Sequence, residues 1–208
     1  MTESSAFAPR TRWVLLFVLA YVGVAIGWAI VSGNSEFVFY SLAVVVFIAI
    51  VAYMDRRVTF SQLALWGLAA WGLLHLAGGQ MSIPAELTEP GKSSVLYNLR
   101  LAPFLPKYDQ VIHAYGFGIS VVVAHEALSA HFKRTLPINW PLGAALFLIG
   151  LGLGAVNEII EFTLVLVVPE TNVGGYRNTG WDLVSNGVGA LAAVFALKAR
   201  NRPPISPD

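Results

Sequence analysis

The chain has 208 residues, 56% hydrophobic and only 12% charged, with a net charge of +1 and a mean hydropathy of +0.67. A soluble domain averages about 25% charged residues. Half that share, gathered between long apolar runs, excludes an ordinary soluble fold, and with no dense basic tract it excludes nucleic acid as a partner. There are no cysteines, which excludes disulfides, thiolate metal sites and thiol catalysis.

The pattern predicts an all-α polytopic membrane bundle of six transmembrane helices, forming one membrane domain over residues 1–208. Arg10 and Arg12 precede the first span, about 13–31. That run is long for a signal-peptide core and no small-x-small cleavage site follows, so it is expected to be retained. The second span is about 37–53, closed by Asp55, Arg56 and Arg57. The third, about 63–77, is short for a crossing and holds His75 near its end. A polar outer loop, 78–110, follows; Pro84, Pro90, Pro103 and Pro106 argue against a continuous helix there. Within it, Leu96 to Leu105 is a candidate for the membrane surface. The fourth span is about 111–130, closed by His131, Lys133 and Arg134, and the fifth about 142–168. Pro169 to Gly180 reads as a loop, with Tyr176, Arg177 and Thr179 either covering an outer pocket or simply solvated. The sixth span, about 182–197, ends at Lys198, Arg200 and Arg202, before a short Pro-containing tail.

Basic residues mark the cytoplasmic side of membrane proteins. With both termini cytoplasmic, nine of the 13 Lys and Arg lie inside, leaving Lys92, Arg100, Lys107 and Arg177 outside. Losing the third span would put the C-terminal basic cluster on the wrong side. Trp13, Tyr53, Trp140 and Trp181 fall at span ends, where interfacial aromatics sit. Gly23 and Gly27, and likewise Gly150 and Gly154, have the spacing of close helix packing rather than of a dinucleotide site.

The fifth span carries the anomaly. Asn157, Glu158 and Glu161 interrupt an otherwise apolar run. Carboxylates inside a membrane are costly and functional by default. Glu158 and Glu161, three residues apart, share a helix face. The assumed topology brings them toward His75, Asp109, His113 and Asp182, with Asn186 one turn deeper than Asp182. Such a group suits a divalent metal, with His75, His113, Glu158, Glu161 and Asp182 as ligands. It suits equally a proton-sharing network in which Glu158, Glu161, His113 and Asp182 are the catalytic acids and bases. Each has a plainer reading. His75 fits an interfacial hydrogen bond, His113 an ion pair with Asp109, Asp182 an N-cap, and Asn186 an inter-helix hydrogen bond. His125 and Glu126 lie deeper on different faces, Glu126 within reach of Lys133 or Arg134.

These residues also carry a resemblance. His75-Leu-Ala-Gly-Gly79, Tyr108-Asp-Gln-Val-Ile-His113, Glu126, Asn157-Glu-Ile-Ile-Glu161 and Thr179-Gly-Trp-Asp182 resemble the YjdF-like family of uncharacterised inner-membrane proteins. The run from Asp182 to Ala190 is similar to the wider VanZ-like group, and so are Asp109-x-x-x-His113 and Glu161. The likeness spans about residues 60–197. Where the family has a second acid after Trp-Asp, this chain has Asn186, and the segment after Gly79 lacks the family's tyrosine-rich run. The resemblance implies a multi-pass protein of a bacterial-type inner membrane. VanZ-like proteins are linked to the cell envelope and glycopeptide-antibiotic resistance. No established reaction comes with it. The expected partners are membrane lipids, including a lipid-linked envelope intermediate. Three functions are open: a site acting on a lipid or envelope component, a small proton- or cation-coupled transporter, and a non-catalytic envelope or resistance factor.

Overall fold

Six α-helices account for most of the chain: α1 (Pro9–Val31), α2 (Ser35–Val58), α3 (Gln62–Gln80), α4 (Tyr108–His131), α5 (Trp140–Val167) and α6 (Tyr176–Arg200). The computed structural model describes residues 9–33, 35–89, 91–168 and 174–200. Pro90, the start of the expected loop at 169–173, and the tail with Arg202 lie outside them.

Five of the six helices are long and apolar enough to cross a membrane; α3 is not among them. The reason is its position. It packs on α1, α2 and α4, and its buried face includes Ala64, Leu65, Leu68, Ala69, Gly72 and His75. A helix enclosed by others has small residues where a lipid-facing helix has bulky ones. A Cβ on Gly67 would meet the Ile119 side chain at 2.7 Å, and one on Gly72 the Tyr21 hydroxyl at 2.5 Å.

The helices outrun the apolar stretches. α6 begins inside the expected loop, so Asp182 lies nearly two turns within the helix rather than capping it. The loop expected over 78–110 is shorter, because α3 runs to Gln80 and α4 starts at Tyr108. What remains is folded. Ser82 and Val95 form an antiparallel bridge, Leu96 N–H donates to Met81 O at 2.9 Å, and Tyr108 N–H donates to Leu99 O at 3.0 Å. The Tyr97 hydroxyl donates to the His75 carbonyl at 2.7 Å. Burial pushes the Tyr97 phenol well above its ordinary pKa, so it stays a neutral donor.

At the opposite end the turns are pinned by side chains. Asp55 accepts from Thr11 Oγ1 at 2.9 Å and from Phe60 N–H at 2.8 Å, and Thr59 between them takes a left-handed φ of 62°. Glu126 is not paired with Lys133 or Arg134. It accepts from Ser61 Oγ at 2.6 Å and Ser61 N–H at 2.8 Å, binding the start of α3. Both basic side chains are exposed beyond a turn in which Lys133 has a φ of 54°. His125 points elsewhere, its Nε2 at 2.8 Å from Leu136 O. Trp13, Tyr53 and Trp140 are largely exposed, as interfacial side chains should be; Lys198 lies over the Trp140 ring at 5.1 Å.

The buried face of α5 reads Gly143, Leu146, Gly150, Gly154, Glu158, Glu161 and Leu164, a helical stripe on which the two acids continue the glycines. Gly150 and Gly154 pack as expected: a Cβ on Gly150 would meet Ala190 Cβ at 2.7 Å, and one on Gly154 would meet Asn186 Nδ2 at 2.5 Å. Gly23 and Gly27 do not. Both are exposed on α1, with nothing within 4 Å of a Cβ.

Two apolar clusters divide the molecule. One joins α1, α2 and α3, with Leu164 of α5 and Val168 just past its end. The other holds Val121, Ile138, Leu146, Ala190, Val194 and Leu197 between the far halves of α4, α5 and α6. The polar residues of α4, α5 and α6 lie beyond this second cluster, toward the loop between α3 and α4.

Candidate functional site

His113 is the hub. It lies about 8 Å along α4 from Tyr108, at 1.5 Å per residue. It is 2% exposed, with carboxylates on both sides of its ring. Nδ1 is 3.1 Å from Asn186 Oδ1 and 3.5 Å from Glu158 Oε1. Nε2 is 3.6 Å from Asp109 Oδ1 and 4.0 Å from Glu161 Oε1. The Asn186 oxygen is an acceptor, so it favours the tautomer with the proton on Nδ1. The Nε2 lone pair then faces carboxylate oxygens, and acceptors facing acceptors are stable only with a proton or a cation between them.

Four acids converge here: Asp109, Glu158, Glu161 and Asp182, each buried. The donor atoms of Asp109, His113 and Asp182 lie within 4.8 Å of one another, and so do those of His113, Glu158 and Glu161. Satisfaction is incomplete. Glu161 accepts from Asn157 Nδ2 at 2.8 Å. Both Glu158 oxygens and Asp182 Oδ1 are buried without a hydrogen-bond partner among the described residues. Buried acceptors left so are rare because each forfeits its hydration.

One cation balances part of this charge. Lys107 Nζ is 3.6 Å from Asp109 Oδ2 and donates to Asn178 Oδ1, while Asn178 Nδ2 donates to Asp109 and Asp182. Neither Lys107 nor Asn178 was an expected site residue. Lys107 lies in a proline-flanked loop, and Asn178 in a stretch read as a loop, either covering an outer pocket or solvated. Its spacing of four from Asp182 was the available signal, since on a helix that places both on one face.

The structure therefore brings His113, Glu158, Glu161 and Asp182 together and adds Asp109. His75 stands apart from both donor groups. Its ring is packed among Tyr40, Trp71 and Tyr97, 6.5 Å from the His113 ring centre to centre, with Nδ1 unpartnered among the described residues. Asn186 is tied directly to His113. Tyr176 is 95% exposed and Arg177 is also exposed, so neither closes the site.

Among the described residues one cavity reaches its acids and a second stops short of them at His75 and Asn157. A polar vestibule of about 220 Å³ opens beside the loop between α3 and α4, lined by Glu36, Tyr40, Tyr97, Lys107, Asp109 and Glu161 among others. An apolar groove of about 180 Å³ runs between α1, α2 and α3 from Thr11 and Asp55 to Tyr40 and His75.

The family model described as "Predicted membrane protein (DUF2238)" matches residues 12–202. The chain belongs to this family. It is the family of the YjdF-like proteins, so the resemblance read from the motifs holds at that level. With its several apolar helices, the DUF2238 chain is a multi-pass membrane protein of unknown function. No curated protein and no solved structure matches it.

Proposed function

We propose that this chain spans a bacterial-type inner membrane six times, with both termini cytoplasmic. Its buried acid–histidine cluster holds a divalent cation in the outer leaflet and acts on a lipid or envelope component. One observation carries the reading: His113 Nε2 faces Asp109 and Glu161 at 3.6 and 4.0 Å while both Glu158 oxygens and Asp182 Oδ1 beside it lack donors among the described residues. Nitrogen and oxygen donors of this kind suit zinc or a similar divalent ion. His113 would hold it either with Asp109 and Asp182 or with Glu158 and Glu161, and it would supply Lewis-acid polarisation of a bound oxygen. Asn186 fixes the ring of His113, as partners of ligating histidines do. Lys107 and Asn178 hold Asp109 and Asp182 in place. The vestibule, lined by Asp109 and Glu161, offers a route for water and a polar head.

The transporter reading is the weaker one. Phe117, Val121, Leu146 and Ala190, each at most 3% exposed, occupy the bundle beyond the cluster. A carrier needs a polar route through that region.

The test is metal content and thermal stability of the purified protein, wild type against Glu158→Gln. With a cation in the cluster, wild type carries a divalent metal near one per chain, chelation lowers its Tm, and Glu158→Gln lowers both. Without one, removing a buried acid relieves repulsion, so the variant is the more stable protein and chelation does nothing. That second pattern would overturn the metal reading.

A further inference from the structure

The four basic residues that the charge distribution leaves outside are far apart in sequence, yet Lys92, Arg100, Lys107 and Arg177 all line one cleft of about 790 Å³ between the outer loop, α4 and α6. Among the described residues one acid, Glu89, lies with them and pairs with Arg100 at 3.2 Å. The pair is exposed enough to contribute little. Lys92 and Arg177 are exposed and have no ion pair among the described residues. Arg100 Nε is buried without an acceptor. Among the described residues the cleft thus keeps a net positive charge.

Below this cationic rim the wall turns apolar. Trp181, Val184 and Val188 follow one another along one face of α6, opposite Val111 on α4, and all are about half exposed. Phe104, 87% exposed, and Leu105 stand at its edge. A soluble anion has no use for that trough, whereas a lipid needs both parts.

We propose that this cleft binds the phosphate-bearing anionic head of a lipid, with a hydrocarbon chain lying against Trp181, Val184 and Val188. Lys and Arg are the side chains that take phosphate oxygens, Arg in a bidentate fork. Lys107 and Asn178 line both this cleft and the vestibule of the acid–histidine cluster. The assignment therefore names a substrate class for that cluster, and in this respect it rests on the reading that the cluster acts on a lipid.

Binding is measured as a thermal shift of the full chain in detergent micelles doped with phosphatidylglycerol, with diacylglycerol, or supplied with inorganic phosphate. Each arm is run before and after chelation, so the outcome stands whether or not the cluster holds a metal. The expected result is a saturable stabilisation by phosphatidylglycerol, none by diacylglycerol, and little by phosphate. In the double variant Lys92→Gln/Arg177→Gln, at two exposed positions, apparent affinity falls about 30-fold, since each charge near an anionic lipid is worth roughly fivefold. Added salt weakens binding to wild type more than to the variant. Equal stabilisation by diacylglycerol, or an unchanged response in the double variant, overturns the proposal. A full shift with inorganic phosphate alone overturns the lipid assignment in favour of a soluble phosphate ester.

Discussion

Asn186 is 0% exposed, and its amide oxygen lies 3.1 Å from His113 Nδ1. Replacing it with leucine removes the nearest acceptor of that nitrogen, costs about 1–3 kcal/mol of stability, and frees the imidazole to take the other tautomer. The metal affinity of the cluster should fall about 10- to 100-fold, as it does when the partner of a ligating histidine is lost. Asn186→Asp keeps an acceptor and should retain most of that affinity. Competition with a chromogenic chelator measures both variants, and a leucine variant that binds like wild type would falsify the role given to the tautomer. The acids of this site were legible in the sequence because a carboxylate in an apolar run needs an explanation. Lys107 and Asn178 were not, because polar residues in loops are ordinary; only the helical start at Tyr176 and the approach of α6 to α4 bring them together.

Glu126 acts between helices. Its two oxygens take the N–H and hydroxyl of Ser61, whose Oγ in turn accepts from Ala64 N–H at 3.2 Å as the N-cap of α3. This fixes the start of the enclosed helix against α4, so Glu126→Ala should lower stability by about 1.5–3 kcal/mol, the scale of hydrogen bonds to a charged group. Ser61→Ala should cost less, and the two should couple in a double-mutant cycle read by thermal unfolding in detergent. Coupling of Glu126 to Lys133 or Arg134 instead would contradict the cap. The number and order of helices could be read from apolar runs alone. Their ends could not, because polar first and last turns such as 176–180 and 108–110 are held by tertiary partners rather than by hydropathy. The glycine pairs show the same limit: Gly150-x-x-x-Gly154 and Gly23-x-x-x-Gly27 have equal spacing, and only the neighbouring helix tells which is buried.

Whether α3 crosses the membrane decides the sidedness of everything after it. At 19 residues it is about 28 Å long, close to the roughly 30 Å of a hydrocarbon core. Its weak hydropathy follows from being enclosed, so it does not argue against a crossing. If it crosses, the outer loop and the start of α6 share the outer side, and the turn after α4 is cytoplasmic. If it does not, all three change sides, and Lys198 and Arg200 face outward against the positive-inside trend. The chain has no cysteine, so single cysteines report cleanly. Glu86, Arg134 and Tyr176 are exposed positions in the three segments. Labelling of intact cells with an impermeant maleimide should modify Glu86→Cys and Tyr176→Cys and spare Arg134→Cys until the membrane is opened. The inverse pattern, with Arg134→Cys alone labelled, would remove α3 from the membrane. The acid–histidine cluster and its basic cleft would then open toward the cytoplasm, and the substrates proposed for them would have to come from the inner leaflet.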